Sequence, residues 1–360
     1  MSLIPFARAA ARSARYRAAV AMRGPQPEKL RLAVTNRCNA RCVMCNVWKA
    51  DVRDAKTTEL STDEYRQIFA NSSRVLQRLK HVSLTGGETT LRPDLADIVG
   101  IICGHHPAAS INVNTNAFDT SRLMSFVDRA VAHTVKLTVM VSLDGMGETH
   151  DKVRGVKGAF DKTYASIQAL LEFRRSHPLK VGINTTLGEW NSGHDLEEIY
   201  RFCATNQLKF TPIVPQSGEF FHNESDEVSL RADTARRHAE HLRKLAMESG
   251  ALSLATIEVL EQLDGRSRDY RCWAGTVMML IEEQGEVFPN GGCPSSWSLG
   301  NLRSHDYDIG SIVASPQAQA VLGDVRDCRR CRLACETLTT LRGPEALAAY
   351  RKSHQYAAAE

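Results

Sequence analysis

Leu30-Arg31-Leu32-Ala33-Val34-Thr35-Asn36-Arg37-Cys38-Asn39-Ala40-Arg41-Cys42-Val43-Met44-Cys45 is the stretch on which the reading turns. An apolar strand over 30–34 runs straight into a loop carrying Cys-x3-Cys-x2-Cys. Gaps this short bring several thiolates to one metal centre. Three thiolates satisfy three irons of a cubane and leave the fourth iron open to a chelating substrate or cofactor. Zinc as a rule takes four protein ligands. No fourth Cys or His lies close by, the next histidine being His81, so zinc suits this loop less well.

The rest of the chain sets the bounds. Its 360 residues are 43% hydrophobic and 24% charged, enough for one large domain and a smaller one and too apolar for general disorder. Lys and Arg number 45 against 41 Asp and Glu, and a net charge of +4 gives no footprint for nucleic acid. No apolar stretch approaches the roughly 20 residues of a membrane span. Ten cysteines are too sparse for a disulfide framework, and without a secretory apolar segment the expected compartment is the reducing cytoplasm. Cys103 and Cys203 sit among apolar neighbours and read as small buried hydrophobes. The others cluster, at 38–45 and at 272–335.

Strand signals at 30–35, 81–85, 110–114, 135–143, 180–186 and 209–214 alternate with helical patterns at 62–79, 94–103, 121–133, 160–175 and 195–206. Such alternation builds a parallel sheet, and six units predict an α/β fold, a partial (β/α)6 TIM-like barrel. Barrels gather their chemistry at the C-terminal ends of strands, where the distinctive residues fall. Gly86-Gly87-Glu88 follows the second strand: paired glycines allow close backbone approach, and Glu88 can accept from an ammonium. The third strand ends Asn114-Thr115-Asn116, amides that also suit a plain turn. The fourth ends Ser142-Leu143-Asp144-Gly145, followed by His150-Asp151-Lys152-Val153-Arg154-Gly155 and Gly158-Ala159-Phe160. Asn184 lies on the fifth strand and Pro212 on the sixth.

In this order the segments resemble radical S-adenosylmethionine (SAM) enzymes, whose signatures are CxxxCxxC, GGE, a Thr-Asn station and an S-x-D-G…HD-x-x-R-G…G-x-F run. The resemblance implies a 4Fe–4S cluster on Cys38, Cys42 and Cys45, chelated by SAM. One electron, from a flavodoxin- or ferredoxin-type donor, would cleave SAM to a 5′-deoxyadenosyl radical that abstracts hydrogen from substrate. It further implies that Glu88, after Gly86 and Gly87, holds the SAM amino group, with Asn114, Thr115 and Asn116 near its methionyl end. Ser142 and Asp144 would face its carboxylate or ribose and Arg154 would pair with the carboxylate, with Asn184 and Pro212 as further matches. Met44 stands where many members carry an aromatic residue against adenine, and fills similar apolar space. For Arg154 a helix-end salt bridge is the alternative.

Toward the C-terminus, Cys272 precedes an apolar strand to Ile281 and a hairpin turning at 283–285; Cys293 and Leu299-Gly300-Asn301-Leu302 follow. Cys328-x2-Cys331-x3-Cys335 comes last. This resembles the SPASM/twitch auxiliary-cluster domains, with a departure: Asn290 stands where a cysteine is typical, five residues after the hairpin glycine. Five thiols cannot fully ligate two cubanes, so one auxiliary 4Fe–4S cluster is expected on Cys272, Cys293, Cys328 and Cys331, with Cys335 as the alternate or a free thiol. A structural zinc ribbon on the same cysteines is the alternative.

The expected organisation is a basic N-terminal helix at 1–27, the core barrel at 28–226, a helical bridge at 227–268, the small β-hairpin/helical iron–sulfur domain at 269–340 and a C-terminal helix or tail at 341–360. The loop at 216–226 follows the last barrel strand and is expected to reach the substrate. Peptide-modifying relatives often carry a leader-recognition domain ahead of the barrel, and only a short stretch precedes the first strand. The expectation is therefore a small-molecule substrate, sugar-like or lipid-linked, undergoing oxidation, epimerisation or rearrangement. Maturation of a ribosomally made peptide is the alternative. A cysteine-rich zinc or electron-transfer protein without radical chemistry is the second.

Overall fold

The computed structural model describes residues 24–49, 58–224, 228–249, 254–267 and 272–329. Residues 1–23 of the basic helix expected at 1–27, Cys331, Cys335 and the tail at 341–360 lie outside the described residues, and residues 24–27 are not helical.

Six strands follow one another as expected: β1 (Lys29–Ala33), β2 (His81–Thr85), β3 (Ser110–Thr115), β4 (Leu137–Ser142), β5 (Leu179–Thr186) and β6 (Lys209–Ile213). Between them run α1 (Thr62–Asn71), α2 (Leu95–His105), α3 (Thr120–Val131), α4 (Glu148–Arg154), α5 (Ala159–Phe173) and α6 (Gly193–Thr205). Neighbouring strands pair in parallel throughout, which makes a partial TIM-like barrel. Side chains alternate across a strand. One face of the sheet carries Leu30, Leu32, Val82, Leu84, Val113 and Val139, buried in the main core with helix residues Ile68, Phe69, Ile98 and Val127. The other face is polar, with Asn114 and Asn184 joined at 3.0 Å.

Two elements differ from the periodicity, the first for a tertiary reason. The pattern over 62–79 stops being α-helical at Asn71, because the Ser72 hydroxyl is buried and accepts from the Ile309 N–H at 2.9 Å. The second difference is α4, which carried no helical signal: it is a short element entered through Gly147 at φ 54 with no side-chain cap.

After β6 come α7 (Ala232–Ser249) and α8 (Leu254–Leu263), then β7 (Met278–Ile281), β8 (Glu286–Phe288), β9 (Gly300–Asn301), α9 (Ile309–Ala314) and α10 (Pro316–Asp327). With α6 the first two build a second core around Leu196, Leu242, Leu245 and Leu260 beside β6. The hairpin of β7 and β8 forms at the expected turn. It is not a free-standing sheet: β7 pairs in parallel with β1, giving a nine-stranded order β6-β5-β4-β3-β2-β1-β7-β8-β9. The open barrel otherwise leaves β1 with bare N–H and C=O groups, and the four buried residues of β7 satisfy them. Cys103 and Cys203 are buried, as read from the sequence. Among the described residues no helix is long and apolar enough to cross a membrane.

Candidate active site

The cysteine loop leaves the C-terminal end of β1 and is pinned from three sides. The first clamp is the Gly86-Gly87-Glu88 segment beyond β2. Gly87 N–H donates to Thr35 O at 2.6 Å and Glu88 N–H to Arg37 O at 2.7 Å. A Cβ on Gly86 would stand 2.2 Å from Thr35 O, and one on Gly87 2.2 Å from Arg37 O. The glycines thus admit the backbone of the cysteine loop itself. The second clamp is the end of α4, where Arg41 N–H donates to Arg154 O and Val43 N–H to Val153 O. Gly155, at φ 64, leaves room for Arg41 O.

The third clamp comes from 219–224, part of the loop at 216–226 expected to reach the substrate. Asn46 N–H donates to Phe221 O at 2.8 Å and its amide to His222 O at 2.9 Å. Asn223, wholly buried, donates to Met44 O and Gln216 O and accepts from Gly218 N–H. The sequence offered no signal for Asn223, since an asparagine in a loop reads as a turn residue. Asn223→Ala is expected to cost about 1–3 kcal/mol, because it strands two carbonyls and an N–H. Hydrogen exchange should accelerate at the Asn46 amide, and unchanged exchange there would rule out this latch.

Cys38, Cys42 and Cys45 are half-buried. Cys45 N–H donates to Cys42 O at 3.2 Å, folding that end of the loop into a turn. Burial pushes the Cys38 thiol up to about 12, and repulsion from Cys42, Glu88 and Cys45 adds to it against the Ala40 N–H. Burial likewise pushes Cys45 up to about 11, with Arg154 opposing. Ligation must therefore displace protons from these thiols. Among the described residues no three His, Cys, Asp or Glu side chains converge tightly enough for a single metal ion. Ligands on separate corners of a cubane stand farther apart than ligands sharing one ion, so three thiols on one loop suit a cluster.

Glu88 is buried, and its Oε1 accepts from Thr90 N–H, Thr90 Oγ1 and Thr115 Oγ1 at 3.0, 2.6 and 2.6 Å. Oε2 accepts from Asn116 N–H at 2.7 Å and keeps acceptor capacity for an ammonium. Asn116 also donates to Asn39 Oδ1 in the cysteine loop at 2.7 Å. The second and third strand ends are thereby locked to the first. Asn114, Asn184 and Ser142 share the polar face, Ser142 standing in register with Asn184.

Two expected ligand-facing residues are placed differently. Asp144 is 0% exposed, its Oδ2 2.6 Å from Arg154 Nη2 and its Oδ1 accepting from Thr186 N–H. With both oxygens engaged, Asp144 positions Arg154 instead of facing a ligand, and Arg154 reaches Cys42 Sγ at 3.6 Å. Pro212 pairs in register with Thr185, so it lies on the helix-facing side, opposite Asn184. The HD of the run is scaffold: Asp151 accepts from Gly158 N–H and Phe160 N–H at the head of α5. Burial, then the Arg154 charge, holds His150 down to about 3, so it is neutral. Its Nδ1 accepts from Asp144 N–H.

A cavity of about 590 Å³ opens over this end of the sheet. Asn36 and Gly86 line it from the barrel, His222 from the third clamp, and Glu282, Asn290 and Cys293 from the hairpin side. Gly275, after Cys272, donates to Pro289 O, and a Cβ there would meet Leu322 of α10, so the three segments leading to Cys272, Cys293 and Cys328 meet.

Residues 32–203 match the profile of the radical SAM superfamily. Those residues form a radical SAM domain. A Methanosarcina barkeri protein named AdoMet-dependent heme synthase is 28% identical over 310 residues, 78% of this chain and 81% of its own length. Antilisterial bacteriocin subtilosin biosynthesis protein AlbA of Bacillus subtilis is 24% identical over 308 residues, 82% of this chain and 63% of its own. The fold is shared with Streptococcus suis SuiB bound to S-adenosylmethionine, at TM-score 0.62 and 16% identity over 88% of this chain and 70% of that one. In this radical SAM core the residues present fit the groups the family uses: three thiols on a clamped loop, and a carboxylate with spare acceptor capacity beside it.

Proposed function

We propose that this radical SAM enzyme abstracts hydrogen from a small polar molecule bound in the cavity between the barrel mouth and the hairpin. When bound, the cluster and SAM supply a carbon-centred radical. Cys38, Cys42 and Cys45 would hold the cluster, and Glu88 the SAM amino group. Arg154, oriented by Asp144, would place its charge beside Cys42. An auxiliary 4Fe–4S cluster is proposed on Cys272, Cys293, Cys328 and Cys331, with Cys335 as alternate. Oxidation, epimerisation or rearrangement would follow, with a flavodoxin- or ferredoxin-type donor supplying the electron.

The observation that carries the reading is the shared wall of the cavity. Asn36 and Gly86, from the SAM-binding side, and Cys293, from the auxiliary side, line the same space. A tetrapyrrole bearing carboxylates would meet the five glutamates that also line it, and this charge repulsion disfavours a haem-like substrate. A sugar-like substrate suits the cavity. Peptide maturation is the second reading, favoured by the name of AlbA.

Anaerobically reconstituted protein should carry about eight irons and release 5′-deoxyadenosine from SAM under reductant. Cys42→Ala should keep about four irons and lose that release. Equal release by both proteins would overturn the radical assignment. Cys328→Ala should lose substrate turnover while still cleaving SAM, and full turnover by that variant would remove the auxiliary role.

A further inference from the structure

The cavity is lined by Glu219, Glu224, Glu282, Glu283 and Glu286, and by no lysine or arginine among the described residues. Arg31 approaches Gly291 but does not line it. Some of these carboxylates are used by the fold: Glu286 accepts from Ser298 Oγ and Asn301 Nδ2, and Glu219 from Ser295 N–H. Glu282 has no hydrogen-bond donor within the described protein. It projects from the hairpin, half-buried, into a space that already holds negative charge.

An independent observation comes from Asn290. It is 7% exposed and lines the same cavity. Its Oδ1 accepts from Gly291 N–H at 2.8 Å, which fixes the orientation of the amide. Among the described residues its Nδ2 meets no acceptor, and it is not sealed off, so it is a donor available to a ligand in the cavity. A ligand that satisfies both features brings positive charge to the carboxylates and an acceptor to the amide. Among the described residues, acidic side chains do not converge as a metal site requires, which leaves an organic cation.

We propose that the cavity selects substrates carrying an ammonium or guanidinium group together with a hydroxyl or carbonyl acceptor that pairs with Asn290. This rests on the cavity being the substrate site, and it deepens that reading by naming a substrate class. Burial, then Glu283, Glu286 and Glu219, pushes the Glu282 carboxyl up to about 7. Glu224 and His222 face the same space from the 219–224 loop. A bound cation favours the ionised carboxylate, so binding should tighten between about pH 6 and about pH 8 and release a proton.

The test is ligand-observed NMR on the full chain with two matched pairs of probes. Glucosamine is compared with N-acetylglucosamine, and N-acetyl-argininamide with N-acetyl-citrullinamide. In at least one pair the charged member should bind about tenfold more tightly. A preference confined to the sugar pair assigns a small aminated substrate, and one confined to the arginine pair a basic side chain. The preference should vanish in Glu282→Gln/Glu283→Gln, and Asn290→Ala should weaken the favoured probe. Glu282→Gln alone, which removes a like charge, checks that lost preference is not lost fold. Equal binding within both pairs, or a preference surviving in the double variant, overturns the proposal. Measuring 5′-deoxyadenosine release on the same wild-type preparation separates the claims. SAM cleavage without charge preference removes this inference alone, and charge preference without SAM cleavage removes the proposed function alone.

Discussion

Arg154→Met is expected to destabilise the apoprotein by about 3–5 kcal/mol, the loss that follows when one member of a buried ion pair is removed. Arg154 is 8% exposed and Asp144 0%, so the carboxylate left behind has neither solvent nor a counter-ion. Against a total stability of roughly 5–15 kcal/mol for a typical domain, this is most of a small reserve. Urea denaturation of the metal-free protein measures it without reference to activity. Asp144→Asn in the same chain should recover most of the loss, because an amide oxygen still accepts from Thr186 N–H and carries no charge to strand. Burial already pushes the Asp144 carboxyl up and Arg154 opposes it. Without Arg154 the folded-state value rises further above the unfolded one. The variant's deficit should therefore be small near pH 4 and grow as pH rises from there toward the folded-state value. A variant within about 1 kcal/mol of wild type at pH 8 would show that the pair does not hold this corner together.

Gly87→Ala should abolish productive assembly of the site while leaving the fold largely intact. The added methyl would stand 2.2 Å from Arg37 O, 2.6 Å from Arg37 C and 2.9 Å from Asn36 C. All three are backbone atoms, so no rotamer change relieves the clash. Relief requires the two segments to part by about 1 Å, which breaks the Gly87–Thr35 and Glu88–Arg37 hydrogen bonds. Misplacement of that size costs about 100-fold in a reaction that depends on alignment. Iron content should fall by about four per chain, and SAM cleavage by about two orders of magnitude. Full iron loading with wild-type SAM cleavage would show that the glycine pair is ordinary turn chemistry.

Much of the site was legible in the sequence because strand ends in a parallel barrel converge, so motifs at successive strand ends are neighbours before any coordinates exist. Cys38 to Cys45, Glu88 and Asn116 illustrate this, each joined to the next strand end by a short hydrogen bond. What escaped was the division of labour inside a motif. Asp144 and Arg154 both read as ligand-facing, and only the fold reveals that the carboxylate is divided between orienting the guanidinium and accepting from Thr186 N–H. Asn223 escaped because its partners lie 179 residues away at Met44, as well as nearby at Gln216. The hairpin turn was readable from local chemistry. Its parallel pairing with β1 was not, because strand partners are chosen by tertiary packing.

That pairing also sets an order of events during synthesis. β1 is made early, yet its second neighbour, Met278–Ile281, lies roughly 250 residues downstream of Lys29. At about 5–20 residues per second the edge of β1 stays bare for roughly 10–50 seconds after it emerges from the ribosome. The cysteine loop at the end of that strand waits almost as long for Phe221–Asn223 to clamp it. A nascent chain paused between these points would present an unpaired strand edge beside three thiols. The loop is covered first, once Phe221–Asn223 is made, and the strand edge only after Met278–Ile281 follows.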